Sequence, residues 1–399
     1  MNWIEKLIKM VEEEAILESN LHHQLAVEEF NFDTCLSSLH TYLGDVEDTR
    51  HRTAFLDADS VFNLPLFSLQ GVVLFPGATL PLRVVEPPFV AAIERALAQV
   101  DVPYTIGVIR THWDTANRGM KLASIGTTAE IRQYVRLEDG SLNVVTCGQQ
   151  RFRLRRRWRD AERVPYGEIQ ITEEDVPLRT PQGAFGKLGP LSNRPRSHAI
   201  SHMLSSRAFW PQWVFHMFDS YCLAERVADM WKQIVGAPRM DSLVKKPDVL
   251  SFYIASKIPV SESTRQELLD IDGITYRLRR EIELLASIDL IRCKSCQTII
   301  AERSDMLVMS SEGPLGAYVN PGGYVHEIMT LYKADGITPV GPSATEYSWF
   351  PGYAWTIAKC STCKTQLGWL FTATKIKLKP SSFWGIRSCQ VAEEICRNL

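Results

Sequence analysis

The chain has 399 residues, of which 45% are hydrophobic and 23% charged, and its formal net charge is −2. The length predicts two or three domains, and the composition is typical of a soluble globular protein. A net charge near zero gives no electrostatic argument for nucleic acid or anionic membrane, and no run of 18 apolar residues predicts a membrane span.

The first 60 residues are polar and lack an apolar signal core. They predict a cytosolic start and a flexible arm over 1–60, with regular structure beginning near Val61. From 61 to 187, short apolar runs broken by Gly and Pro predict the strands of a compact barrel or sandwich, with one helix after Glu86. Asp139-Gly140 lies between apolar alternations and indicates a hairpin.

Residues 188–289 change to helical periodicity, with a capping signal at Ser261 and a break at Gly273. They predict a bundle of about four helices. From 290 to 386, short strands, aromatic residues, Gly and Pro return, and 387–399 is predicted to be a C-terminal tail. The predicted fold class is therefore multidomain α+β: a strand-rich domain, a helical bundle and an all-β C-terminal domain.

Four of the nine cysteines form two C-x-x-C pairs, Cys293 with Cys296 and Cys360 with Cys363. An odd number of cysteines without a signal peptide favours metal binding over disulfides. Each pair supplies two thiolates from one tight turn, and zinc prefers four thiolates in a tetrahedron. The pattern therefore predicts one structural zinc ion that joins the two ends of the C-terminal domain.

Three tryptophans lie close together near the second cysteine pair. Trp349 and Trp355 flank a Pro351-Gly352 turn, and period-2 alternation puts Trp369 and Phe371 on one face of a strand. The turn at the cysteines brings that strand back against the first two tryptophans. The spacing leaves two interpretations open: ordinary core, or the walls of a pocket for a flat or cationic ligand.

Several segments resemble the ligand-binding domain of the cereblon family: SWFPGYAWTIAKCSTC, LGWLFTATK, FWGIRS, GAYVNPGGYVHEIMTLYKA and, near the N-terminus, NFDTCLSSLHTYLG. LPLFSLQGVVLFPGATLPL and GTTAEI resemble the N-terminal domain of Lon proteases, which that family also contains. The resemblance covers 31–388 in the family's domain order. It implies a noncatalytic substrate receptor of a cullin-4 RING E3 ubiquitin ligase, cytoplasmic and nuclear, whose helical middle binds the propeller adaptor of the ligase.

The resemblance also implies a cage for glutarimide rings, both of thalidomide-type drugs and of C-terminal cyclic imides on substrate proteins. The backbone C=O of Tyr347 would accept the imide N–H, and the backbone N–H of Trp349 would donate to an imide carbonyl. The side chains implied at the cage are the walls Trp349, Trp355 and Trp369, with Phe371 behind them and Asn320 and Pro321 at the rim.

Three positions depart from familiar members of that family. Two histidines of familiar members are replaced, one by Tyr347 and the other by Gly322. Only the backbone is needed at Tyr347, so ligand binding is expected to survive, whereas Gly322 is expected to alter the loop that covers the pocket. Ile357 is larger than valine and is expected near the outer rim. We hypothesise that it hinders a protein that docks over a bound drug.

Other signals are interpreted as structural or incidental. Gly183–Leu188 is too short for a phosphate-binding loop, so the Lon-like domain is predicted to be a scaffold. The six arginines from Arg151 to Arg159 predict a solvated or salt-bridged strand face rather than a nucleic-acid site. His198 and His202 are four apart without an acid, and His326-Glu327 lacks the second histidine of H-E-x-x-H. Residues 208–218 predict bundle core or adaptor surface.

Two competing functions depend on the same C-terminal domain. A reductase of the methionine-sulfoxide type needs a nucleophilic cysteine outside the zinc site, and the candidates, Cys389 and Cys396, lie in the predicted tail. A methyl-ammonium reader pairs aromatic rings with a carboxylate, for which Glu346 is adjacent to the tryptophans.

Overall fold

The computed structural model describes residues 30–49, 55–114, 118–179, 217–235 and 240–395. Within them, regular structure begins at Phe30, earlier than the expected start near Val61. The first segment contains strand β1 (Phe30–Asn31), the one-turn helix α1 (Cys35–Ser38) and strand β2 (Glu47–Asp48). β2 pairs with the first domain and β1 with the C-terminal domain, so the segment joins the two.

Among the described residues, the sheet of the first domain contains β2 and seven further strands, with apolar side chains alternating toward its interior. The seven further strands are β3 (Val61–Gln70), β4 (Thr79–Val84), β5 (Thr105–Asp114), β6 (Gly119–Leu122), β7 (Ile125–Arg136), β8 (Leu142–Arg159) and β9 (Pro165–Ile171). The hydrogen-bonded order β7-β5-β3-β9-β8 returns to β7, which closes a five-stranded barrel. β7 and β8 form the hairpin predicted at Asp139-Gly140, where Gly140 has a φ of +82°.

One described helix lies between strands of the barrel, and five more follow the barrel in the chain. α2 (Pro87–Ala98) begins with proline in its first turn, where the missing N–H has no helical partner, and packs on β3 and β5. The later helices are α3 (Ser220–Val235), α4 (Asp241–Val244), α5 (Pro247–Ala255), α6 (Glu262–Asp270) and α7 (Ile274–Ser287). The capping residue predicted at Ser261 begins α6, where its side chain accepts the N–H of Thr264 at 3.3 Å. The break predicted at Gly273 separates α6 from α7, and Gly273 has a φ of +91°.

The C-terminal domain consists of two main sheets. One has three strands, β10 (Ile288–Cys293), β11 (Ile299–Glu302) and β19 (Val391–Ile395), so part of the predicted tail pairs with β10. The other has the order β12-β13-β18-β16-β15-β14. Its strands are β12 (Leu315–Val319), β13 (Val325–Leu331), β14 (Ile337–Ala344), β15 (Tyr353–Cys360), β16 (Gln366–Ala373) and β18 (Ser382–Arg387). The short strand β17 (Leu378–Lys379) is not part of this sheet and pairs with β1.

A buried ion pair lies where the barrel, the helices and the C-terminal domain meet. Arg265 of α6 donates to the carboxylate of Glu327 on β13. The same carboxylate accepts the backbone N–H of Val73 at 3.0 Å and the hydroxyl of Ser388 at 3.1 Å. The architecture is thus the predicted mixed α+β fold. None of the described helices is long and apolar enough to cross a membrane.

Candidate functional site

An apolar patch lies on one face of the six-stranded sheet, across β15 and β16. Their antiparallel register sets Trp355 opposite Phe371 and Ile357 opposite Trp369. Side chains directly across a strand pair point to the same face. These four residues therefore form one continuous surface, as the alternation of Trp369 and Phe371 predicts.

Trp349 completes this surface from the loop between β14 and β15. Its indole N–H donates to the backbone carbonyl of Val319 at 3.0 Å, and its ring stands nearly perpendicular to that of Trp369, with centroids 4.9 Å apart. The indole N–H of Trp355 donates to the carbonyl of Glu346 at 2.9 Å. Both indoles are therefore oriented by hydrogen bonds as well as by packing.

The tryptophans enclose a cavity of ≈ 330 Å³. This volume lies at the lower end of the range for small-molecule sites. The cavity is lined by all seven side chains that the family resemblance assigns to the cage, together with Glu346 and Ile357: Asn320, Pro321, Tyr347, Trp349, Trp355, Trp369 and Phe371. The two interpretations of the tryptophans both hold in part, since Trp349 is buried in the aromatic core and also faces the cavity.

The rim and the floor of the cavity differ in polarity. Phe371 is fully buried at the floor, whereas Tyr347 is exposed at the rim and has a left-handed backbone with a φ of +55°. The few polar groups at the rim are therefore held by a constrained loop, and the walls are aromatic. Such a site can exclude water from a flat, uncharged ring and strengthen the few hydrogen bonds that it makes.

Sequence reasoning missed His326, which lies behind two of the tryptophans. Its ring centroid is 6.0 Å from that of Trp349 and 5.5 Å from that of Trp369. Burial, and then the charge of Arg387, lower the pKa of His326 to about 4, so the ring is neutral at pH 7. The alternation of β13 indicates a common face for every second side chain, but His326-Glu327 in the sequence resembles only half of a metalloprotease motif.

The four predicted cysteines come together at the edge of this domain, with all Sγ atoms within 4.8 Å of one another. The Sγ atoms of Cys293 and Cys363 are 3.7 Å apart, and those of Cys296 and Cys360 are 3.5 Å apart. Tetrahedral zinc with Zn–S bonds of about 2.3 Å separates its sulfurs by about 3.8 Å. The donor set and its spacing therefore fit one structural zinc ion.

The two cysteine turns have the same backbone. Gln297 and Lys364, which follow the second cysteine of each pair, have φ values of +63° and +62°. Their N–H groups donate to the carbonyls of Cys293 and Cys360 at 2.8 and 3.0 Å. The turns connect β10 to β11 and β15 to β16, so zinc would join the two sheets beside the strands that carry Trp355 and Trp369.

Several predicted residues lie elsewhere. Cys389 is next to Gly71 of the first domain and does not line the tryptophan cavity. His198, His202, Cys396, residues 183–188 and residues 208–216 lie outside the described part of the chain. The arginine segment of β8 is mixed: Arg151 is buried and bonds to Glu174, whereas Arg155 to Arg159 are exposed.

Comparison with known proteins agrees with this architecture. A family model described as the ATP-dependent protease La (LON) substrate-binding domain matches 63–287, and one described as Yippee zinc-binding/DNA-binding /Mis18, centromere assembly, matches 290–391. The first model thus spans both the barrel and the helices. A Lon N-terminal domain protein from Xanthomonas campestris is 23% identical, covering 55% of this chain and 96% of its own, with a TM-score of 0.35, too low to bear on the fold.

Two curated relatives span most of the chain. "Protein cereblon" of Danio rerio is 34% identical over 376 residues, covering 89% of this chain and 86% of its own. "Protein cereblon" of Xenopus tropicalis is 35% identical over 381 residues, covering 89% and 83%. With a barrel of the Lon type, a four-cysteine zinc site and this level of identity over nearly its whole length, the chain belongs to the cereblon family.

Proposed function

We propose that this chain is a noncatalytic substrate receptor of a cullin-4 RING E3 ubiquitin ligase, and that its tryptophan cavity binds glutarimide and related cyclic imides. The observation that carries the proposal is the cavity itself, with three indole walls next to the backbone of Tyr347 and Trp349. Its ligands would be thalidomide-type drugs and proteins that end in a cyclic imide. Ubiquitin transfer would be carried out by other subunits, in the cytoplasm and the nucleus.

The chemistry of an imide suits such a cavity. An imide presents one N–H donor between two carbonyl acceptors and carries no charge. In the proposed complex the C=O of Tyr347 accepts the imide N–H, and the N–H of Trp349 donates to a carbonyl. Leaving one buried partner unpaired costs about 1–3 kcal/mol, so an N-methylated imide should bind about 5–150-fold more weakly.

The test is calorimetric titration of the zinc-loaded protein with glutarimide and N-methylglutarimide. We expect glutarimide to bind and the N-methyl compound to bind about 5–150-fold more weakly. Trp355→Ala removes one wall and the bond to Glu346 and should abolish binding, whereas Trp113→Ala, at an exposed tryptophan of β5, should not. Equal affinity for both compounds, or full binding by Trp355→Ala, would contradict the proposal.

One observation favours a second candidate, a methyl-ammonium reader. Glu346 lines the cavity, and a carboxylate beside aromatic rings suits a quaternary ammonium ion. Trimethyl-lysine is therefore included in the titration. Binding of trimethyl-lysine in place of glutarimide, with loss of affinity in Glu346→Gln, would support this candidate. A reductase has less support, because no cysteine among the described residues lines the cavity.

For the propeller adaptor, we propose a surface on the helical side of the molecule. Met217, Phe218 and Tyr276 are large apolar side chains that are each more than 40% exposed. Arg279 lies 4.4 Å from the ring centroid of Phe218 and donates to the carbonyl of Met217 at 2.8 Å. We expect Phe218→Ser to weaken adaptor binding in a pull-down. Tyr332→Ser, at an exposed residue of the C-terminal domain, is the control.

Of the two remaining departures from the family pattern, Gly322 bears on the loop that covers the pocket, and Ile357 bears on proteins recruited by a bound drug. Ile357 lines the cavity opposite Trp369, and Gly322 lies in the exposed turn between β12 and β13. We propose that Ile357 hinders a protein docking over the ligand. Ile357→Val should then increase drug-dependent capture of such a protein without changing the affinity for glutarimide. Unchanged capture would contradict this part of the proposal.

A further inference from the structure

The end of β8 is a strand edge that carries arginines. β7 pairs with β8 only as far as the register Ile125 with Arg153, whereas β9 pairs with β8 through Arg159. Among the described residues, Arg155–Arg159 therefore has a strand neighbour on one side only. In an antiparallel ladder every second residue directs its N–H and C=O away from a given neighbour. We call Arg155–Arg159 the arginine edge.

The side chains of the arginine edge are all exposed. Arg156 pairs with Glu168 at 2.8 Å, and Arg155 donates to the side-chain carbonyl of Gln170 at 3.1 Å. Within the described part of the chain, Arg157 and Arg159 have no carboxylate within 4 Å. The protein as a whole has a net charge of −2, so this cluster of positive charge does not reflect a basic composition of the whole chain.

An aromatic residue interrupts the charges. Trp158 is 41% exposed and stacks on Tyr166 of β9, with ring centroids 5.9 Å apart and planes at 11°. One simple role of charged side chains on an unpaired strand edge is to prevent that edge from pairing with another copy of the protein. That role needs no exposed tryptophan. A pre-ordered tryptophan between arginines is instead typical of the residues that dominate binding interfaces.

We propose that the arginine edge is a docking site for an acidic segment of another polypeptide, which adds to β8 as a further strand. Repulsion between like-charged edges opposes edge-to-edge pairing with a second copy of this chain. Alternate side chains of a strand repeat at about 6.7 Å, so acidic residues at every second position of a partner match Arg157 and Arg159. The free N–H and C=O groups favour a polypeptide over a nucleic acid, which cannot complete a strand ladder. This site is independent of the tryptophan cavity.

The test uses the full, zinc-loaded chain and a fluorescent nine-residue peptide of alternating Thr and Glu. We expect saturable binding by anisotropy, weaker at high salt, and an amide I band of a carbonyl-labelled peptide that moves to the position typical of a strand. The same peptide with N-methyl groups at alternate amides keeps its charge but loses its donors, and should bind at least about tenfold more weakly. Arg157→Gln with Arg159→Gln should weaken binding about tenfold.

The control variant is Lys375→Gln with Lys377→Gln, which removes two exposed charges of the C-terminal domain at the same spacing and should leave peptide binding unchanged. Three outcomes would overturn the proposal. If the N-methylated peptide binds as tightly as its parent, the contact is only electrostatic. If single-stranded RNA of equal charge binds more tightly and depends on Arg157 and Arg159, the occupant is a nucleic acid. If nothing binds, the arginines only protect the edge.

Discussion

Replacing Glu327 with leucine would leave the guanidinium of Arg265 buried without its counterion. Both side chains are at most 5% exposed, and the carboxylate also accepts the N–H of Val73 and the hydroxyl of Ser388. Removing one partner of such a pair typically costs about 3–5 kcal/mol. At about 2–4 °C per kcal/mol for a domain of this size, the melting temperature should fall by about 6–20 °C.

The double variant Arg265→Met with Glu327→Leu should lose less than the sum of the two single variants. It removes both charges of the pair, while the N–H of Val73 and the hydroxyl of Ser388 lose an acceptor and the carbonyls of Val73 and Ser256 lose a donor, at about 1–3 kcal/mol for each group that finds no other partner. The pKa of Glu327 agrees with a smaller loss in the double variant, because burial raises this pKa and the charge of Arg265 only partly offsets the effect of burial. Burial of the pair is therefore itself unfavourable, and an apolar pair avoids it.

The assay is differential scanning calorimetry of the zinc-loaded variants. Glu267→Gln is the control, because Glu267 makes a similar bond to Arg280, at 2.9 Å, on the exposed surface of the helices. That change should cost no more than about 1 kcal/mol. The reasoning is refuted if Glu327→Leu and Glu267→Gln have the same melting temperature. It is also refuted if the double variant loses as much stability as Arg265→Met and Glu327→Leu lose together, because the two side chains would then act independently.

Three further predictions concern the C-terminal domain and its contacts. Removal of zinc by a chelator, or the substitution Cys360→Ser, should remove on the order of 10 kcal/mol of folding free energy. The loss should appear as disappearance of the near-ultraviolet circular dichroism of the tryptophans. Retention of that signal would show that the fold does not need zinc. Gly385→Ala would place a Cβ 2.7 Å from Phe371 Cε2 and 3.0 Å from Ile328 Cγ2, and should cost about 1–3 kcal/mol in thermal unfolding, whereas Gly140→Ala, with open space around it but a positive φ, tests backbone strain alone. Burial lowers the pKa of His40 to about 4, below its value of about 6.5 in the unfolded chain, so between these pH values the unfolded chain binds one more proton than the folded chain. The free energy of unfolding should therefore decrease by about 3 kcal/mol as the pH falls from 6.5 to 4. Urea unfolding of His40→Gln should show a smaller decrease.

Local patterns predicted the parts of the site that depend on near neighbours in sequence. The alternation of Trp369 and Phe371 fixed their common face, and the cysteine spacing fixed two turns with the same geometry. That the cysteines meet in one site could be inferred because zinc requires four ligands. Each of these inferences rests on a period or a valence that is independent of the rest of the fold.

Contacts between distant segments were not predictable in this way. β19 returns to pair with β10, and the segment after Phe30 pairs with both domains, although its polar sequence indicates an arm. The contacts there are short: two-residue strands and hydroxyl bonds such as that from Ser37 to the carbonyl of Met309, at 2.6 Å. They produce no long apolar period, so composition alone suggested disorder.

His326 and Glu327 show why adjacent residues can serve different parts of the molecule. Successive side chains of a strand point to opposite faces, so β13 directs His326 toward Trp349 and Trp369 and Glu327 toward Arg265 and Val73. A shift of β13 by one residue would, depending on its direction, place either Glu327 against the indoles or His326 in the ion pair. The buried pair at the domain junction therefore helps to fix the register of the strand that forms the back of the cavity, together with the ladders to β12 and β18, and the interdomain contact is part of what keeps the cavity apolar.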